Sequence, residues 1–323
     1  MKARVRASEA VAEGQSSLVV IGNFDGVHLG HRAVIEAALS EARGRGLRPL
    51  VLTFDPHPAE VLGGGTRPPL TVLDRKLELI ERLGSELKVV VEPFTLALSQ
   101  FTPAEFAQKF LVELLSAKVV IVGDNFRFGH RRGGDLRTLV ALGQELGFEA
   151  HASSLVGDAQ GPYSSTRARA ALASGDLPAV ELVLGRPHSL RGTVVAGAQR
   201  GRTIGVPTAN LDGVAEALPP YGVYAVLVDR VGEGESAAIG TGVANIGLRP
   251  TVDAGFSVEV HLFDFSQDLY GDRLRVHLVA RLREEQKFSG LPELKAQISR
   301  DIEQARAALA LAEPDPLANG AWR

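Results

Sequence analysis

The stretch Leu18-Val19-Val20-Ile21-Gly22-Asn23-Phe24-Asp25-Gly26-Val27-His28-Leu29-Gly30-His31 decides the fold of the amino-terminal part of this 323-residue chain. Four apolar residues form a strand-sized run, a glycine-rich loop breaks it, and Arg32–Ala42 continues with apolar residues at helical spacing. A strand that passes through a tight loop into a helix is the unit from which parallel sheets are built. The same alternation continues downstream. Leu50–Phe54, Lys88–Val91, Lys118–Val122 and Phe148–Ala152 read as strands, and Arg75–Leu83, Pro103–Leu115 and Leu136–Leu146 as helices. Thr102, Pro103 and Glu105 spell a capping box with proline at the first helical position.

Beyond Leu184 the pattern changes to period-two segments separated by Gly and Pro, which predicts an antiparallel barrel or sandwich. Gly222–Val228, Ser257–Phe265 and Leu274–Val279 are its clearest strands, and in the second Glu259 and His261 share the face opposite Val258, Val260 and Leu262. A final helix at Pro292–Leu311 carries Leu294, Ile298, Ile302 and Leu309 on one stripe. The expected division is an α/β domain over 1–184, a β-barrel domain over 185–312, and a flexible tail over 313–323 containing two prolines and Asn319-Gly320.

Lys plus Arg total 35 against 38 Asp plus Glu, a net charge of −3, which argues against nucleic acid or an anionic membrane surface as the main partner. With 45% hydrophobic and 23% charged residues the chain is not a disordered one. Cysteine is absent, so thiolate nucleophiles, disulfides and iron–sulfur clusters are excluded. No apolar run approaches the roughly 20 residues of a membrane span, so a soluble cytoplasmic protein is expected. Oligomeric state is not legible in the sequence.

In an open α/β sheet, ligands bind beyond the carboxyl ends of the strands, where helix N-termini present unpaired N–H groups to anions. The loop from Gly22 through Phe24, Asp25 and Gly30 lies at such an end, and the three-residue spacing of His28 and His31 sets both rings over one first turn. Read alone, the pair fits a capped turn with two exposed imidazoles better than a phosphate site; a zinc pair would need a third ligand that nothing marks. Similar signals close later strands: Thr53-Phe54-Asp55-Pro56-His57-Pro58 holds His57 between prolines, and Gly123-Asp124-Asn125-Phe126-Arg127-Phe128-Gly129 places Asn125 and Arg127 where a ring system could sit. Ser164-Ser165-Thr166-Arg167-Ala168-Arg169 opens a short helix with three hydroxyls and two arginines, a run that by itself is an ordinary cap.

Together these segments resemble the HxGH-type nucleotidyltransferases and, more closely, the bacterial FAD synthetase module. The resemblance implies a Rossmann-like α/β/α fold and adenylyl transfer, in which the phosphate of FMN attacks the α-phosphorus of ATP and pyrophosphate leaves. It implies that His28 and His31 donate to charge developing on the phosphates. Gly22, Phe24, Asp25, Gly30, His57, Asn125, Arg127, Ser164, Ser165, Thr166 and Arg169 would bind the nucleotide and flavin. A phosphate monoester is already largely dianionic at neutral pH, so this nucleophile needs no general base. Tyr163 and Ala168 depart from the β-branched residues expected there.

The second half carries Arg191-Gly192-Thr193-Val194-Val195-Ala196-Gly197-Ala198-Gln199-Arg200-Gly201-Arg202-Thr203-Ile204-Gly205, glycine-rich but without Walker A spacing. Val206-Pro207-Thr208-Ala209-Asn210 follows, and Thr208 and Asn210 are hard oxygen donors suited to Mg²⁺. With Asn245-Ile246-Gly247-Leu248-Arg249-Pro250-Thr251, the strand containing Glu259, Asp268-Leu269-Tyr270-Gly271 and Leu282-Arg283-Glu284-Glu285-Gln286-Lys287-Phe288, this order of motifs resembles the riboflavin kinase domain. The two halves together resemble bifunctional riboflavin kinase/FAD synthetases over about Leu18–Leu311. The resemblance implies a Greek-key barrel that phosphorylates riboflavin to FMN. Glu259 would act as the base, Thr208 and Asn210 would hold Mg²⁺ and the ATP phosphates, Gly197, Gly201, Arg202 and Gly205 would cover the nucleotide, and Arg283 and Phe288 would lie at the isoalloxazine. Departures are Val206 for Phe, Arg281 at an apolar position and His188 for Tyr. The partners expected are small molecules only: riboflavin, FMN, FAD and ATP. Two alternatives stay open on sequence, a chain with one active module and a non-catalytic flavin-binding protein.

Overall fold

The computed structural model describes residues 5–12, 14–65, 67–197, 201, 205–232, 235–248, 255–315 and 321–322. Its contacts group into two compact units, one formed by residues 2–67 and 71–164, the other by 68–70 and 165–323.

The first unit is a five-stranded parallel sheet. Strands β1 (Ser17–Ile21), β2 (Arg48–Asp55), β3 (Lys88–Pro93), β4 (Ala117–Val122) and β5 (Glu149–Ala152) lie in the order β3-β2-β1-β4-β5. The order reverses between β1 and β4, the switch point at which α/β sheets bind ligands. Successive residues of each strand face opposite layers. Val19, Ile21, Leu50, Leu52 and Val120 join one buried cluster, while Leu18, Val20, Val51, Val119 and Ile121 join the other. Helices α1 (Leu29–Arg45) and α2 (Leu73–Glu81) cover the second face, α1 through Ile35, Ala38, Leu39 and Ala42.

The capping box expected at Thr102 is formed: its Oγ1 accepts from the Glu105 N–H at 3.2 Å and the Glu105 carboxylate accepts from the Thr102 N–H at 2.8 Å. The helix expected over Pro103–Leu115 holds α geometry only over α3 (Pro103–Phe106) and continues as a π-helix over Ala107–Leu114. The wider turn lets Phe106 and Phe110 stack at 5.1 Å while both are buried with Leu111 and Leu115. Helix α4 (Leu136–Leu146) runs between the expected residues, capped by Asp135 and stopped at Gly147 with φ +83°.

The second unit opens with helices α5 (Ser165–Ser174) and α6 (Leu177–Leu184). The second of these was not expected from the sequence, although Asp176 at its N-cap, Pro178 in its first turn and Gly185 beyond its end are ordinary helix signals. A closed barrel follows, built from β6 (His188–Val195), β7 (Ala209–Asp212), β8 (Gly222–Val231), β9 (Ser236–Leu248), β10 (Phe256–Leu262) and β11 (Arg273–Glu284) in the order β8-β9-β10-β7-β6-β11. All pairs are antiparallel, and β10 returns beside β7 rather than continuing the meander, a Greek-key connection. The glycine-rich segment read from Arg191 onward begins as strand: residues through Val195 belong to β6, whose alternate residues Leu190 and Val194 are buried. Strand β9 escaped the sequence reading because its Ala- and Gly-rich first half has little apolar alternation.

Helix α7 (Leu291–Leu309) packs outside the barrel, where Ala305 and Leu309 join Val223, Ala225, Leu227, Val243 and Phe263 in one buried cluster. The expected flexible tail needs correction, because Trp322 belongs to that same cluster and is only 5% exposed. Its indole N–H donates to the Val228 carbonyl at 3.1 Å and its backbone N–H to Asp229 Oδ1 at 2.9 Å. Asp229, wholly buried, also accepts from His277 Nε2 at 2.9 Å, with Arg275 Nη1 3.6 Å away. The tail is therefore anchored at Trp322 by an apolar contact and by two hydrogen bonds whose partners are buried.

Removing a buried indole leaves a cavity, so Trp322→Ala should cost about 3–5 kcal/mol of stability in urea unfolding followed by circular dichroism. Since the chain has a single tryptophan, wild-type fluorescence should show the blue-shifted emission of a buried indole and move red on unfolding.

Candidate active sites

In the first unit, the loop leaving β1 turns through left-handed backbone at Phe24 (φ 51°), Gly26 (φ 82°) and Val27 (φ 40°). For Phe24 and Val27 this conformation costs about 1–3 kcal/mol each and requires firm surroundings. Both side chains are buried beneath α1, and the Phe24 ring lies over Gly22, where a β-carbon would stand 3.0 Å from it. His28 is the N-cap of α1: its Nδ1 accepts the His31 N–H at 3.3 Å. The neutral ring accordingly carries its proton on Nε2. The rings of His28 and His31 stack at 3.6 Å between centroids, and Phe24 meets His31 edge-on at 5.1 Å. Gly30 is closed in by the Tyr163 carbonyl and the His28 ring, each about 3 Å from where a β-carbon would sit. The two histidines thus form one ordered cap over the end of β1.

His57 caps the short helix Pro58–Val61, its Nδ1 accepting from the Ala59 N–H at 3.1 Å. Asn125 and Arg127 line a cavity of about 480 Å³ together with Phe126, Arg132, Asp135 and Arg137. Phe126 and Phe128 stack there at 5.3 Å, and Arg127 reaches Asp135 at 3.8 Å. Ser164 closes the first unit; Ser165 and Thr166 begin α5 in the second, where Arg169 Nη1 donates to the Pro68 carbonyl at 2.8 Å. Asp25 takes part in a further electrostatic contact that the sequence reading missed. Lys76 on α2 is only 9% exposed; burial lowers its ammonium below the usual lysine range, while Asp25, Asp55 and Glu60 pull it back up. Its sequence signal was a lysine within the apolar stripe Leu73, Ile80 and Leu83.

In the barrel, register places the chemistry. Glu259 on β10 lies opposite Asn210 on β7 and Asn245 on β9, so three polar residues form one row across three strands. Val258, Val260 and Leu262 fill the interior, which turns Glu259 and His261 to the outer face. His261 Nδ1 donates to the Pro207 carbonyl at 2.8 Å and fastens the start of the Pro207–Asn210 segment. Gly197 touches the Asn210 amide so closely that a β-carbon would occupy its place, and a β-carbon on Gly201 would lie 3.4 Å from the Thr208 hydroxyl. Thr208 and Asn210 therefore line a cradle bordered by bare backbone, a fit for a hydrated, oxygen-seeking cation and a phosphate chain. Gly205 (φ +83°) turns the chain just before it. Arg202 and residues 198–200, 203–204 and 249–251 lie outside the described residues. Arg283, assigned above to the flavin, has its guanidinium engaged by Asp301, and Phe288 is half-buried beside it.

Two of the departures find local partners. Buried His188 donates through Nε2 to the Ala217 carbonyl at 2.8 Å, and Arg281 Nη2 donates to the Tyr221 carbonyl at 3.1 Å.

A parallel sheet with a paired-histidine helix cap and a Greek-key barrel with a carboxylate–amide row define a two-domain nucleotide-dependent transferase. The FAD synthetase family model matches residues 11–167 and the riboflavin kinase model residues 184–309. The bifunctional riboflavin kinase/FMN adenylyltransferase of Escherichia coli (strain K12) is 42% identical over 310 residues, covering 95% of this chain and 96% of its own. That of Bacillus subtilis (strain 168) is 36% identical over 302 residues, covering 91% and 92%. A crystal structure described as a macrolide-efflux protein from Streptococcus pneumoniae superposes with a TM-score of 0.80 at 29% identity, over 94% of this chain and 98% of that one. This chain belongs to the bifunctional riboflavin kinase/FMN adenylyltransferase family, with an FAD synthetase domain followed by a riboflavin kinase domain. Among the described residues no helix is long and apolar enough to cross a membrane.

Because a methyl group on Gly197 meets the Asn210 amide, Gly197→Ala should lower kcat/KM for ATP in riboflavin phosphorylation by about tenfold or more, with the melting temperature little changed. Steady-state kinetics beside a thermal melt checks this.

Proposed function

We propose that the barrel phosphorylates riboflavin with Glu259 as general base, and that the amino-terminal sheet adenylylates the resulting FMN with His28 and His31 as charge-stabilising donors. In the first reaction the ribityl 5′-hydroxyl attacks the γ-phosphorus of ATP, its proton passes to Glu259, and ADP leaves. A neutral alcohol is a poor nucleophile, so a carboxylate within reach of its proton is required. The register pairing of Glu259 with Asn210 is the observation that supports this reading, since it brings a carboxylate beside the cradle that would receive the phosphates. Thr208 and Asn210 would hold Mg²⁺, which when bound neutralises charge on the transferring phosphoryl group. Gly197, Gly201 and Gly205 would line the nucleotide.

In the second reaction a phosphate oxygen of FMN attacks the α-phosphorus of a second ATP and pyrophosphate leaves. The nucleophile is already an anion, so the site works by positioning and by donors aimed at developing charge. With His28 Nδ1 accepting the His31 N–H, Nε2–H would be the donor that His28 offers to the anion. Gly22, Phe24, Asp25, Gly30 and His57 would shape the phosphate end, Ser164, Ser165, Thr166 and Arg169 would hold phosphate oxygens, and Asn125 and Arg127 would line the flavin cavity.

Glu259→Gln should slow riboflavin phosphorylation by about 10²–10⁴-fold and leave adenylylation of added FMN at the wild-type rate. His28→Ala should slow adenylylation by about 10²–10³-fold and leave the kinase unchanged. Chromatographic separation of FMN from FAD reads both; loss of both activities in either folded variant would overturn the assignment of separate roles. Chelation of divalent cations should stop FMN formation and Mg²⁺ should restore it.

A further inference from the structure

The segment linking β11 to α7, residues 285–290, is tied down from several directions. Arg283, near the end of β11, donates from Nε to both carboxylate oxygens of Asp301 at 3.0 Å, and its Nη2 lies 2.9 Å from Oδ2. Asp301 stands on α7, is 2% exposed, and accepts a further bond from Gln297 Nε2 at 2.8 Å. The Arg283 guanidinium carbon sits 5.6 Å from the centre of the Phe288 ring, within cation–π range. The Glu285 carboxylate packs directly on Gly247, two residues along β9 from Asn245. At the far end, Ser289 donates through its N–H and hydroxyl to Glu293 at 2.8 and 2.7 Å.

These contacts stand level with the kinase row. Arg283 is the register partner of Val223, Val223 of Asn245, and Asn245 of Glu259. Three strand spacings of about 4.8 Å separate Arg283 from Glu259 by about 14 Å along the barrel surface. A tricyclic ring system with a ribityl chain spans such a gap.

Burying a carboxylate against a guanidinium contributes little net stability compared with an apolar pair of the same volume. What the forked geometry does supply is a fixed plane and direction for the guanidinium.

We propose that Asp301 is a positioning residue of the kinase: by fixing Arg283 it sets Phe288 and the 285–290 segment at the height of Glu259, and so governs the grip on riboflavin. Asp301 touches neither nucleotide nor phosphate in this scheme. The proposal rests on the kinase reading of the barrel, and the two fail differently.

The test is steady-state riboflavin phosphorylation by the full-length chain. Asp301→Asn loses the charge-assisted fork and should raise KM for riboflavin by about tenfold, with kcat within about threefold and KM for ATP and FMN adenylylation as in wild type. Arg283→Lys, which keeps the charge but not the fork, should move KM for riboflavin in the same direction. Quenching of riboflavin fluorescence in the presence of Mg·ADP should show the same weakening of affinity. An Asp301→Asn enzyme with a lower melting temperature but an unchanged KM for riboflavin would reduce the pair to a structural strut and overturn the proposal, as would a fall in kcat alone. If Asp301→Asn does not fold, an unchanged KM in Arg283→Lys overturns it equally. A wild-type chain inert toward riboflavin would instead sink the kinase reading and the proposal with it.

Discussion

The backbone ladder that seats Glu259 between Asn210 and Asn245 is the interaction on which the barrel's proposed site depends. Side chains alternate along a strand, so a slip of one residue would turn Glu259 into the barrel interior and Val258 or Val260 to the surface. The apolar residues prevent that slip, because Val258, Val260 and Leu262 are buried only in the observed register. Core packing and placement of the Glu259 carboxylate are thus one constraint. The same register aligns Asn210 with its neighbours and puts His261 where it fastens the Pro207 carbonyl.

The amino-terminal half uses a different device. Its sheet reverses order between β1 and β4, and the loop at that point is held in left-handed backbone by burial of Phe24 and Val27. The imidazole cap at His28 both starts the helix and orients the rings, so helix formation and the ordering of the two imidazoles share one hydrogen bond. Where the nucleophile is an anion, such rigidity suffices; where it is an alcohol, a base is needed as well. In the proposed reactions the two halves of the chain divide along that chemical difference.

On the barrel, α7 connects the core with the site. Its apolar side closes the cluster shared with Trp322, and its Asp301 holds the strand end from which the 285–290 segment departs. A helix fixed at both faces can transmit the position of the core to a surface segment that has few buried contacts of its own.

Much of this was legible in the residues. The alternation of strand and helix patterns, the capping box at Thr102 and the inward valines flanking Glu259 are local signals, and local signals determine element type because backbone preference and periodicity act over a few residues. The histidine pair, the Pro207–Asn210 segment and Glu259 were likewise readable as candidates. Their assembly was not, since the register that joins residues 210, 245 and 259 depends on closure of the whole barrel. The π-helical turn after Phe106, the buried ammonium of Lys76, the commitment of Arg283 to Asp301 and the anchoring of Trp322 arise from packing between segments distant in sequence. Sequence by itself determined which elements form and which side chains are chemically equipped; only the tertiary structure decided which of them meet, because burial, charge pairing and strand register are properties of contacts the chain makes once closed.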